Sequence, residues 1–76
     1  MEYFVQHKDE HNSSLITVDT DNQRYMIQKE DTSGRIFDTP PALLAWIKKN
    51  WKPTDLEKPE VYQELLHEIA EEMRGN

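Results

Sequence analysis

The first half of the chain carries its apolar residues in short runs, and the second half carries them in stripes. Tyr3-Phe4-Val5-Gln6 is aromatic and β-branched with a polar end, a composition that suits a half-buried strand. Leu15-Ile16-Thr17-Val18 has the same character. Within Arg24–Lys29, Tyr25 and Ile27 fall on one side and Met26 on the other, because successive strand residues point to opposite faces. Arg35-Ile36-Phe37 is a short fourth candidate. The breaks are polar: Lys8–Ser14 throughout, Asp19–Gln23 with side chains suited to Asx turns, and Asp31–Gly34 ending on a glycine able to take a positive φ. Such short connections favour antiparallel hairpins, since a parallel crossover needs about a dozen residues or more.

From Thr39 the period lengthens. Thr39 is the expected N-cap, with Pro40 and Pro41 in the first helical turn, where a missing N–H costs little. Leu43, Leu44, Ile47 and Trp51 then form one stripe, with Ala45, Lys48 and Lys49 turned away. Lys48, Lys49 and Lys52 stand where cations suit the helix dipole, and Pro53 ends the run. Residues 52–58 read as a connector. Pro59 opens a second helix whose stripe is Tyr62, Leu65, Leu66, Ile69 and Met73, stopped by Gly75-Asn76. The pattern predicts a single α+β domain over 1–76. A small antiparallel three- to four-stranded meander occupies 1–38, a first helix 39–52 and a second helix 59–74. Both helices pack on one face of the meander, because their stripes need an apolar surface of that size.

Composition narrows the function classes. The chain has 76 residues, enough for one small core. It has no cysteine, so neither a disulfide framework nor a thiolate metal site is available, which fits a reducing cytoplasm. Met1–Glu10 lacks a basic segment followed by an apolar run, so no signal peptide is expected. No apolar run approaches the ~20 residues of a membrane span, and a cytoplasmic protein is expected. The formal net charge is −6, and seven of the fifteen carboxylates lie from Asp55 onward, against two of the nine cations. Such a charge disfavours direct binding to nucleic acid or anionic lipid.

Three stretches approach metal signatures. His7-Lys8-Asp9-Glu10-His11 fits H-x-x-E-H letter for letter, but that signature needs a helix, a further acidic ligand and a cleft. Here the segment reads as a hairpin loop, and no tight zinc binding is expected from His7 and His11. His67-Glu68-Ile69-Ala70-Glu71 has the helix of H-E-x-x-H but Glu71 in place of the second histidine. Asp19–Glu30 offers calcium-loop oxygens but has Arg24 where that loop needs glycine, and strand-like flanks where it needs helices. No nucleophile elbow surrounds Ser13, Ser14 or Ser33, and two glycines cannot build a phosphate-cradling loop. No catalytic, cofactor-binding or metal residue is assigned, and no cofactor is expected.

One cationic and aromatic cluster stands out, Trp46-Ile47-Lys48-Lys49-Asn50-Trp51-Lys52. It is too short for a nucleic-acid footprint. Trp46 lies at the margin of the Leu43–Ile47–Trp51 stripe and is the candidate protein contact, together with Lys49. The expected function is that of a small non-enzymatic protein that binds a protein partner or its own copies, as an accessory or regulatory module. The alternative is an acidic mimic of nucleic acid that occupies a DNA- or RNA-binding protein, resting on the carboxylates of the last helix. A metal-dependent enzyme is the weakest of the three readings.

Overall fold

A computed structural model describes residues 1–9, 11–30 and 33–74. Strands β1 (Glu2–Gln6), β2 (Ser13–Asp19), β3 (Arg24–Lys29) and β4 (Gly34–Phe37) form one antiparallel sheet in the order β1-β2-β3-β4. Helices α1 (Pro40–Asn50) and α2 (Glu60–Met73) follow, joined by a 3-10 turn at Pro53–Asp55. The sheet therefore has four strands, and the α+β class is that predicted.

Register decides which side chains meet. Tyr3 pairs with Ile16, Val5 with Ser14, Ile16 with Ile27, Val18 with Tyr25, Tyr25 with Phe37 and Ile27 with Arg35. The strand period of two then puts all of these on one face. Both helices cover that face. Val5, Ile16, Val18, Tyr25 and Ile27 meet Leu43, Ile47 and Trp51 of the α1 segment and Tyr62, Leu65 and Ile69 of α2 in a single buried cluster. The tail of α2 runs past this cluster, so Met73, the last member of its stripe, is exposed. Helix α1 lies toward β3 and β4. Helix α2 lies toward β1, where the Tyr3 hydroxyl donates to Glu64 Oε2 at 3.1 Å.

Local chemistry sets the boundaries. The Asp19 carboxylate accepts from the backbone N–H of Asp21 and Asn22, an Asx turn, and Gln23 takes a left-handed φ of 55° to complete the reversal. Thr39 caps α1 as expected, its Oγ1 accepting from Ala42 N–H at 3.3 Å. Trp51 closes that helix in an extended conformation, and Lys52 is extended too, the conformation favoured before a proline. Helix α1 accordingly stops at Asn50 and not at residue 52. The turn expected at Asp31–Gly34 and the stop at Gly75-Asn76 fall wholly or partly outside the described residues. Gly34 itself lies in β4 and does not take a positive φ. A Cβ there would stand 3.0 Å from the Ile27 carbonyl oxygen, so close approach of two backbones is what calls for glycine.

The connector behaves differently from its polar sequence. Leu56 is fully buried. It bridges His7 across the β1 edge, with Lys8 N–H donating to the Asp55 carbonyl at 2.9 Å and Glu57 N–H to the Gln6 carbonyl at 3.0 Å. One apolar residue in a polar segment thus becomes core because its backbone is tied to a strand. Burying a leucine of this kind contributes about 2 kcal/mol.

Candidate functional site

The H-x-x-E-H segment is the first place to look for chemistry. Val5 and His7 share strand parity, so the imidazole points under the sheet and is only 7% exposed. Its Nε2 lies 3.1 Å from Ser14 Oγ, and its ring stands edge-on to Trp51 with centroids 4.8 Å apart. The expectation of a solvated loop holds for exposed His11, whose N–H donates to Asp9 Oδ1, and fails for His7. Glu10 lies outside the described residues. Among the described residues no group of three or more His, Asp or Glu side chains is arranged to hold a metal ion.

His7, Ser14 and nearby Asp55 have the residue types of a hydrolytic triad. Their environments do not suit that role. Ser14 is 1% exposed, so no substrate atom can approach its Oγ. The Asp55 carboxylate accepts from Lys52 N–H at 2.8 Å, where it caps the 3-10 turn. Burial holds the His7 imidazole below its ordinary pKa; the Lys29 ammonium acts in the same direction, and the Asp55 carboxylate opposes it. The ring is therefore neutral at pH 7, with one nitrogen donating and one accepting.

A row of aromatic rings leads from His7, beneath the sheet, to the β4 edge. Trp51 meets Trp46 at 5.9 Å between centroids, and Trp46 meets Phe37 of β4 at 6.1 Å. The Arg35 guanidinium lies over the Trp46 ring, 5.7 Å from its centroid. Trp46 is half-buried, whereas Trp51 is buried, as their places in the α1 stripe require. Lys49 is exposed one turn further along α1. Beside the Trp46 indole runs a groove of about 210 Å³ lined by Ile27, Lys29, Ser33, Gly34, Arg35 and Trp46. Arg35 and Lys29 were not singled out from the sequence as companions of Trp46. The signal was present: Arg35 shares strand parity with Phe37, and Lys29 with Tyr25 and Ile27, so both side chains point toward the helix layer.

The carboxylates of α2 are partly engaged. Glu64 accepts from Tyr3, and Glu71 lies 3.6 Å from both His67 and Arg74. Burial, then the hydrogen bond and charge of Glu64, hold the Tyr3 phenol above its ordinary pKa. Glu60, Glu64 and Glu68 are exposed at intervals of one turn. That places a charge about every 6 Å along the axis, against roughly one per 3.4 Å along a single strand of duplex DNA.

The outer face of the sheet is uncovered by either helix. Phe4 (62% exposed), Leu15, Met26 and Ile36 (79% exposed) cross it as a diagonal of apolar side chains. Among the described residues no helix is long and apolar enough to cross a membrane. Compared with known proteins, the chain matches no family model, and no curated protein or solved structure is significantly similar to it.

Proposed function

We propose that this protein is a non-enzymatic binding module that docks another protein through the corner formed by Trp46, Arg35 and Lys49, and that it works in the cytoplasm. The observation that carries this reading is the half-buried indole of Trp46, stacked under a guanidinium and bordering a groove. Tryptophan, tyrosine and arginine side chains carry a large share of the binding energy at protein contacts. The absence of thiols from the sequence supports a reducing compartment. The acidic-mimic alternative receives less support, since part of the α2 carboxylate set is engaged within the fold, Glu64 by Tyr3 and Glu71 by His67 and Arg74.

Trp46→Ala tests the reading. The contact role requires weaker association with a partner or with a second copy and a melting temperature close to that of the wild type. A clear fall in monomer stability with unchanged sedimentation and partner recovery would assign Trp46 to roofing the core.

A further inference from the structure

We propose that β4 is a docking edge, to which an extended, acidic segment of a partner protein adds as a fifth strand. This deepens the contact reading of the Trp46 corner and rests on it. The two edges of the sheet differ. The β1 edge is bridged by the connector at its C-terminal end, where Lys8 N–H donates to the Asp55 carbonyl and Glu57 N–H to the Gln6 carbonyl, whereas β4, among the described residues, has a strand neighbour only on its β3 side. The phase of the ladder fixes what β4 presents. Lys29 N–H donates to the Ser33 carbonyl, so Ser33, Arg35 and Phe37 turn their backbone groups toward β3. Gly34 and Ile36 turn theirs outward, and the side chain of Ile36 is itself exposed.

An added strand would place alternate side chains above and below the sheet. Those on the helix side lie beside the stacked Arg35 and Trp46; those on the other side meet Ile36. Charge specifies the partner. Around β4 and α1 stand Arg35, Lys48 and Lys49 against Asp38, with Lys29 opening onto the same groove, although the chain as a whole is acidic. Carboxylates on the helix side of an incoming strand would face these cations. A second copy fits poorly. Most of its carboxylates near the other edge lie on α2 and are not offered by a strand, and pairing β4 with β4 about Arg35 sets two guanidinium groups opposite each other.

Panning short random displayed peptides against the wild-type protein, followed by titration of the enriched peptides into isotope-labelled protein, tests the assignment. Enrichment should favour Asp and Glu alternating with β-branched or aromatic residues. The bound peptides should slow hydrogen exchange at the Gly34 and Ile36 amides. Ile36→Pro removes an outward N–H and no bond to β3, and should lower affinity by about tenfold, the size of one lost hydrogen bond. Arg35→Glu, which leaves the backbone ladder intact, is the second variant and should lower affinity for the same acidic peptides. No enrichment, enrichment of basic or proline-rich peptides, or protection confined to other strands would overturn the proposal. Peptides sensitive to Trp46→Ala but indifferent to Ile36→Pro and Arg35→Glu would leave the contact reading standing and remove strand addition. Indifference to all three variants would remove both. Concentration-dependent sedimentation abolished by Ile36→Pro would make the occupant a second copy.

Discussion

The two sides of this small sheet solve the problem of an exposed edge in different ways. On the β1 side the chain returns after α1, lays Leu56 against His7 and ties the connector backbone to the strand. On the β4 side there is no such covering among the described residues; the strand is short, and Arg35 points inward from it. Short edge strands and inward charges discourage unselective pairing, and the inward cation favours only a strand that sets a carboxylate opposite it. The covered edge belongs to the core, and the bare edge belongs to the surface. Stability should therefore respond strongly to changes on the first side and weakly to changes on the second.

The largest effect is expected at the covered edge and the helix stripes. Leu56→Ala should cost about 2–5 kcal/mol, as should Ile47→Ala and Leu65→Ala, since each removes a fully buried branched side chain. Chemical denaturation measures this. A Leu56→Ala variant as stable as the wild type would mean that the connector does not seal β1.

A smaller loss is expected beneath that edge. Ser14→Ala removes the partner of a buried imidazole nitrogen and should cost about 1–3 kcal/mol. The same histidine makes stability depend on pH. Its folded pKa is lowered, so the unfolded chain takes up a proton first as pH falls below about 6.5. Stability present above that pH should decline on acidification until the folded imidazole also protonates. Denaturation curves between pH 7.5 and 5 should show this slope in the wild type and a flatter one in His7→Gln. An equal slope in both would assign the acid sensitivity to other groups.

On the bare side the expected effects shrink. Thr39→Ala removes the cap of α1 and should cost about 1 kcal/mol. Arg35→Ala loses one stacked cation at the surface, and the stability measured by denaturation should change by no more than about 0.5–1 kcal/mol. A large loss at Arg35 would erase the contrast between the two edges and make β4 part of the core.

Much of the fold was legible because the apolar period changes where the structure changes. Tyr25, Met26 and Ile27 alternate in burial as a period of two demands, and Leu43, Ile47, Leu65 and Ile69 recur as a helical stripe demands. Leu56 was not legible, since one leucine among polar neighbours carries no period; its burial comes from backbone pairing with a strand about fifty residues earlier. His7 was read as solvated because its segment is polar. Strand parity continued one step beyond Val5 would have placed it inward. At the candidate contact, the half-burial of Trp46 followed from its place at the edge of the α1 stripe. Arg35 and Lys29 escaped notice because charged residues on a short strand look like solvent-facing ones until register fixes their side.

The contact between Tyr3 and Glu64 joins residues 61 positions apart, whereas each hairpin of the meander joins neighbours. During synthesis the four strands and α1 can assemble from local encounters, but the helix-facing side of β1 has no lid until α2 has been made. Contacts that close long loops form late, and the surface they cover stays exposed meanwhile. The hour of greatest vulnerability for this chain thus falls just before the turns of α2 arrive, when Val5 and its neighbours are open to water and to other nascent chains.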